Sequence, residues 1–133
     1  MSQENVEIVR RLIKRWEQGD WRWGRDIFDD QCEAVFSGAW FPEADRYRVG
    51  PDALRAWTGF TDAFETFEVR LSRIIDAGDQ VVALTHLRGR GQASGAAVDA
   101  LTGGIFTLRR GKIVRYVLTD AREALEAVGL REQ

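Results

Sequence analysis

Hydrophobic positions along the chain change period near its middle. Val6, Val9, Leu12, Ile13 and Trp16 recur at three- and four-residue intervals, the spacing that lines one side of a helix. Ser2 is placed to cap that helix and Gly19-Asp20 to stop it. Asp20 then predicts the cap of a second, shorter helix through Ile27-Phe28, and Ala34-Val35-Phe36 to Trp40-Phe41 reads as extended. After Pro42, Gly50-Pro51-Asp52 restarts helix with proline in the first turn, where its missing N–H is harmless. Leu54, Trp57 and Phe64 continue it at helical spacing. From Phe67 the period is two: Phe67, Val69 and Leu71, then Val82, Leu84, His86 and Arg88 alternating with Val81, Ala83, Thr85 and Leu87. Ala77-Gly78-Asp79 predicts a turn between strands, Arg109-Arg110-Gly111-Lys112 a tight hairpin, and Ile113 to Thr119 the last long strand. Asp120 and Glu123 match a capping box for a closing helix, Ala121 to Val128, with Gly129 at its end. Helices first and an antiparallel sheet afterwards predict an α+β fold.

Composition narrows the function classes. The 133 residues suit a single domain, 1–133, that buries roughly two thirds of its unfolded surface. A net charge of −2 offers no basic excess for a phosphate backbone, so nucleic acid is not an expected partner. One cysteine, Cys32, cannot close an internal disulfide, and with His86 alone beside it there is no four-ligand zinc site. No apolar run reaches the ~18 residues of a membrane span and the N-terminus lacks a signal pattern, so a cytoplasmic protein without a membrane partner is expected. All five tryptophans lie before residue 68, with only Phe106 and Tyr116 as aromatic residues after it. Small residues (Gly89, Gly91, Gly95, Ala96, Ala97, Ala100, Gly103, Gly104) lighten the second half instead. Rings on the helices and first strand facing a light sheet can wall a cavity; equally, the rings can simply fill the core while the glycines bend strands.

Several tempting motifs fail on context. Gly89-Arg90-Gly91-Gln92-Ala93-Ser94-Gly95 has its third glycine one place late for a phosphate loop and opens no helix, so it reads as a turned sheet segment. It also lacks the nucleophile-elbow spacing. Asp29, Asp30 and Glu33 match no metal-loop spacing, and Cys32 has no activating base in view. Arg109, Arg110 and Arg115 cluster near a hairpin, where such charges either meet an anionic ligand or keep a sheet edge soluble.

A set of short segments in fixed order carries a resemblance. Gly19-Asp20-Trp21, Phe28-Asp29, Tyr47-Arg48-Val49-Gly50, Ala77-Gly78-Asp79, Arg88-Gly89-Arg90-Gly91, Arg110-Gly111-Lys112-Ile113-Val114-Arg115 and the stretch from Glu123 to Leu130 resemble SnoaL-like proteins of the NTF2-like superfamily, which is also called ketosteroid isomerase-like, nearly end to end. The resemblance implies a strongly curved antiparallel or mixed sheet wrapped around the N-terminal helices as a cone, with a short C-terminal helix. It also implies an apolar pocket and, often, a homodimer through the sheet. Members include steroid isomerases, polyketide cyclases, epoxide hydrolases, dehydratases and non-catalytic binding proteins, so the fold leaves the function open.

If alternate sheet residues face inward, Tyr116, Leu118 and Asp120 point to the pocket from the last strand, and Val82, Leu84 and His86 from the strand after Ala77-Gly78-Asp79. Polyketide cyclases resembling this sequence use a pocket aspartate for proton transfer. A carboxylate in an apolar cavity loses hydration, which favours its neutral acid and suits it to exchange protons, and a nearby imidazole can orient it. Asp120 as acid/base with His86 as helper is therefore the expected catalytic pair; the alternatives are a helix cap for Asp120 and a strand-end or interface role for His86. Tyr116, Leu118, Phe106, Phe36, Trp16, Trp57 and Leu84 are the expected contacts to a small apolar or polycyclic carbonyl ligand, with no cofactor and no metal. The steroid isomerase positions, a carboxylate base and an oxyanion hole of tyrosine and protonated acid, fall near Phe36, Leu12 and Gly104 by rough alignment; none of these residues can do that chemistry. Isomerase- or cyclase-like proton transfer is the leading expectation, and a non-catalytic ligand-binding or dimerisation module the alternative.

Overall fold

The computed structural model describes residues 2–21, 24–37, 45–48, 61–62 and 64–130. Trp23, Trp40, Pro42 and the helix expected after Gly50, with Leu54 and Trp57, lie outside those residues, as does the side chain of Ser2. The chain opens on helix α1 (Ser2–Glu17) and a single 3-10 turn (Arg25–Ile27). Six strands follow: β1 (Phe28–Phe36), β2 (Asp45–Arg48), β3 (Phe64–Ala77), β4 (Gln80–Gly91), β5 (Ala97–Arg109) and β6 (Lys112–Asp120). Helix α2 (Ala121–Ala127) closes the described chain.

Helix α1 forms where the stripe predicted it. Val9, Leu12, Ile13 and Trp16 are all buried. Its end folds back as expected of a glycine in the left-handed region: Gly19 has φ +83°, its N–H reaches Trp16 O at 2.9 Å, and the Asp20 N–H reaches Arg15 O at 3.0 Å. The second helix expected between Asp20 and Phe28 is reduced to the 3-10 turn. Strand β1 starts at Phe28, well before Ala34, because Cys32, Ala34 and Phe36 bury on one face while the backbone pairs in parallel with β6. Pairing across the sheet outweighs local helix preference here.

The strand order is β2-β1-β6-β5-β4-β3. All pairs are antiparallel except β1 with β6, so the sheet is mixed. Register shifts interrupt the ladders between Phe64 and Thr66, between Leu71 and Arg73, and between Thr107 and Leu108. Such bulges bend strands and increase twist, which is how a sheet of long strands wraps around a helix. At the Leu71 irregularity the edge-strand amide of Leu71 donates to the Glu17 carboxylate at 2.8 Å, tying the end of α1 to β3. The predicted hairpin is present, with Arg110 at φ 54° and Gly111 at φ 76°, the two positive values a tight two-residue turn between twisted strands requires.

Two apolar layers result, one on each face. The inner one joins Val9, Leu12, Ile13 and Trp16 of α1 to Val81, Ala83, Leu87, Phe106, Tyr116 and Leu118 of the sheet. The outer one is smaller: Val82, Ile105 and Ala124, with Ile75, Leu84, Val117 and Val128 packed against them. Helix α2 supplies the outer layer's cover. It ends as expected, with the Leu130 N–H on Leu125 O at 2.8 Å and Gly129 at φ 78°. Its start differs from the predicted capping box. The Asp120 side chain makes no cap hydrogen bond, and the Glu123 carboxylate accepts instead from the Thr119 hydroxyl at 2.7 Å. Asp120 ends a strand as well as preceding a helix, and the pleat turns Thr119, not Asp120, to the face that α2 covers.

Candidate functional site

Three cross-strand rows build the inner face. Val81 of β4, Phe106 of β5, Tyr116 of β6 and Ala34 of β1 lie side by side in register. The next row is Ala83, Gly104, Leu118 and Phe36. The third is Thr85, Thr102 and Asp120. Aromatic, small and polar rows thus follow one another towards the end of β6.

The first row is packed solid. The Phe106 and Tyr116 rings stack with centroids 4.6 Å apart, Trp16 leans on both at 6.5 and 6.0 Å, and Phe36 meets Tyr116 edge-on at 6.3 Å. Tyr116 takes the space a side chain at Gly104 would need: a Cβ there would sit 3.0 Å from Tyr116 Cε1. The aromatic centre is therefore anchored on the sheet by Phe106 and Tyr116, and Trp16 and Phe36 close on them. Burial pushes the Tyr116 phenol well above its ordinary pKa, so it stays neutral.

A cavity opens beside this stack, lined by Ile13 and Trp16 from α1, Val69 from β3, Ala83, Thr85 and Leu87 from β4, Gly104 and Phe106 from β5, and Tyr116 and Leu118 from β6. It leaves about 10 Å³ for the centre of a water-sized sphere, room for one small polar group. Of the expected ligand contacts, Trp16, Phe106, Tyr116 and Leu118 line it, and Phe36 packs on Tyr116 next to it. Trp57 lies outside the described residues.

Leu84 and His86 do not face this cavity. The inward residues of β4 are the odd ones, Val81, Ala83, Thr85 and Leu87, and a one-residue change of parity sends Val82, Leu84 and His86 to the other side. Leu84 packs in the outer layer. The His86 ring hydrogen-bonds Asp99 through Nε2, with the Arg88 guanidinium 3.8 Å from the other carboxylate oxygen. The hydrogen bond from His86, helped by the charges of His86 and Arg88, holds the Asp99 carboxyl below the usual carboxylate range. The structure therefore does not bring His86 to Asp120.

Asp120 does stand on the inner face, half-buried, two residues beyond the cavity-lining Leu118 and opposite Thr102. It is engaged in an interaction of its own and does not belong to the cavity's lining as drawn above. Sequence reasoning missed the hydroxyls beside it. Thr85 and Thr102 are both buried, and their oxygens are 2.6 Å apart. The alternation Val81, Ala83, Thr85, Leu87 is visible in the sequence, but the opposite phase, Val82, Leu84, His86, starts equally apolar, so β4 alone carried no signal for them.

Other chemistry is thin. Cys32 is fully buried, and burial, with Asp29 and Glu33 nearby, pushes its thiol up to about 12. Among the described residues no cluster of three metal-ligating side chains occurs and no helix is long and apolar enough to cross a membrane.

A curved mixed sheet that holds an apolar cavity against a long N-terminal helix, with a short helix on its outer side, defines a pocket protein of the NTF2-like superfamily. The chain belongs to the SnoaL-like domain family, whose model matches residues 9–116. Among curated proteins none matches it in sequence. Solved structures share the fold at low identity. An NTF2-like protein from Burkholderia thailandensis E264 superposes with a TM-score of 0.76 at 20% identity, over 85% of this chain and 87% of that one. A protein classed as a SnoaL-like polyketide cyclase, from Jannaschia sp. CCS1, gives 0.67 at 21% identity, over 95% and 91%. A protein with a ketosteroid isomerase-like fold from Catenulispora acidiphila DSM 44928, in complex with trimethylamine, gives 0.69 at 14% identity, over 93% of each chain.

Proposed function

We propose that this protein binds a small apolar carbonyl compound and moves a proton on it with Asp120 as acid/base. One observation carries the reading: Asp120 ends the strand whose Tyr116 and Leu118 line the cavity, on the same face, and its side chain is not spent on capping α2. The Asp120 carboxylate takes a proton from the carbon next to the carbonyl. The C–H electron pair forms the new C=C bond while the C=O π pair moves onto the carbonyl oxygen, and the resulting Asp120 acid returns the proton to carbon as both pairs move back. Nothing is oxidised or reduced, so the step needs no redox partner. His86 has no part in it. The polyketide cyclase class of the Jannaschia protein, whose fold this chain shares, is in keeping with enolate chemistry. Trp16, Phe106 and Tyr116 line the space that takes the compound's carbonyl group, and its ring enters only as these packed side chains move apart. In D2O the protein should exchange the α-protons of cyclohexanone or α-tetralone, followed by proton NMR, and Asp120→Asn should slow this by roughly 10²–10⁴-fold. Equal rates for the two proteins would remove Asp120 from the chemistry.

A second reading is a non-catalytic ligand-binding or dimerisation module, favoured by the small cavity and by the exposure of Leu101 (58%) on the outer sheet face beside His86. That reading expects no α-proton exchange, and a homodimer by light scattering that Leu101→Lys dissociates.

A further inference from the structure

We propose that the Thr85 hydroxyl, oriented from behind by Thr102, is the hydrogen-bond donor that holds the carbonyl oxygen of the ligand. This rests on the carbonyl-compound reading above and identifies the group that would carry the charge developing on oxygen.

Each threonine hydroxyl has one hydrogen and two acceptor lone pairs. The contact of 2.6 Å between the two oxygens uses one hydrogen, and it is the only hydrogen bond either side chain makes to the described residues. Either hydroxyl can donate in this contact, but Thr102 is fully buried, at 0% exposure, and has no other acceptor among the described residues, so a ligand acceptor in the cavity selects the arrangement in which Thr102 donates to Thr85. Thr85 lines the cavity. Its own hydrogen is thus left over, in a space where the surrounding walls are Ala83, Leu87, Phe106 and Leu118. An uncommitted donor among apolar walls is costly unless something accepts it, and a hydroxyl already accepting a hydrogen bond is polarised to donate more strongly.

Geometry adds to this. The free space is sized for one oxygen-like group, which a carbonyl oxygen fills. Asp120 is the cross-strand neighbour of Thr102, which places its Cβ roughly 5 Å away. Thr85 is one strand further along the row, roughly 10 Å from Asp120, so a compound with its oxygen on Thr85 reaches Asp120 only by lying along the row across Thr102. As the C–H pair forms the C=C bond and the C=O π pair moves onto oxygen, the Thr85 hydrogen bond strengthens, which is the differential stabilisation an enolate needs. Tyr116, with its neutral phenol, and Trp16, with its indole N–H, are competing donors on the same wall.

The test uses isosteric pairs in which C=O is replaced by C=CH2: cyclohexanone against methylenecyclohexane, and α-tetralone against its methylene analogue. Ligand-observed NMR titration of the full chain should show the ketones binding about tenfold tighter than their analogues. Thr85→Val should erase that preference without weakening the hydrocarbon partner, and Thr85→Ser should restore it. Thr102→Val should reduce it in part while leaving the pH profile of exchange unchanged, as expected of a positioning residue. Because one valine strands a buried hydroxyl, the Thr85→Val/Thr102→Val double variant, which removes both partners at constant shape, serves as the control for folding. The proposal is overturned if wild type binds neither ketone, if it shows no preference, if Thr85→Val keeps the preference, or if Tyr116→Phe abolishes it instead. Loss of the ketone preference in Thr85→Val with no α-proton exchange in wild type would uphold the donor and sink the catalytic reading. Exchange that depends on Asp120 but not on Thr85 would do the reverse.

Discussion

Adding one methyl group at Gly103 should loosen the protein more than its size suggests. Gly103 is on the outer face of β5, where a Cβ would lie 2.3 Å from Ala124 Cβ, 3.4 Å from Ala121 Cα and 3.5 Å from the Asp120 carbonyl oxygen. Carbon atoms pack at about 3.5–4.0 Å, so α2 must retreat by roughly 1.5 Å to admit it. The retreat withdraws Ala124 from Val82 and Ile105, the buried residues it covers. Overpacking of this kind costs about 1–3 kcal/mol, and backbone contacts on two sides place Gly103→Ala near the upper end. Loss of unfolded-state entropy on replacing glycine returns about 0.4–1 kcal/mol. A net loss of about 2 kcal/mol remains, which at this chain length lowers Tm by roughly 6–10 °C. The assay is thermal and urea unfolding of Gly103→Ala, Ala124→Gly and the double variant. Ala124→Gly alone costs about 1 kcal/mol as a helix glycine, yet it removes the atom in the way, so the pair should couple by at least 1 kcal/mol in the favourable direction. A stable Gly103→Ala, or a cost unchanged by Ala124→Gly, would show that α2 does not sit against Gly103 as described.

Two further predictions concern single side chains. Cys32, with its thiol pushed up to about 12 by burial first and by Asp29 and Glu33 next, should be inert to a disulfide reagent at pH 8 in the native protein and react at once in urea; rapid stoichiometric labelling of folded protein would contradict the burial. Asp99 is held low in the folded state, so any stability it contributes is present above its unfolded pKa near 3.8 and is lost as pH falls through its lower folded value. Removing the partner in His86→Ala should move the Asp99 carboxyl titration, followed by carbon NMR, back up towards 3.8, with little effect on stability at neutral pH because the pair is exposed. An unmoved titration would mean that the hydrogen bond is not formed in solution.

The fold was legible where one periodicity acted alone. Helix α1 could be read from Val9, Leu12, Ile13 and Trp16, because a surface helix with one apolar stripe has no competing arrangement. The hairpin at Arg110-Gly111 and the end of α2 at Gly129 were legible for a different reason: positive φ is demanded there and few residue types accept it. What failed was local reading next to a long-range partner. Residues 25–36 look helical at first and extended later, and it is pairing with β6 on one side and β2 on the other that makes strand of them from Phe28 on. The mistaken capping box has the same origin, since Asp120 belongs to a strand and a helix at once.

The site illustrates a harder limit. Strand β4 is buried on both faces where it crosses the core: Val81, Val82 and Ala83 are at 0%, 0% and 1% exposure. A strand apolar on both sides carries no sign of which side faces the cavity. The choice between a cavity holding His86 and one holding Thr85 was therefore not written in β4 at all. It is made by its neighbours. Thr85 pairs with Thr102, which is sealed inside and can satisfy a hydroxyl, whereas His86 pairs with the exposed Leu101 and finds Asp99 diagonally, in water. Further along β5, Gly103 clears room for α2 on the outer face and Gly104 clears room for Tyr116 on the inner one. Two adjacent glycines can serve opposite faces only in one phase of the pleat, and that phase, passed across the β4–β5 ladder, turns the threonine inward and the histidine out.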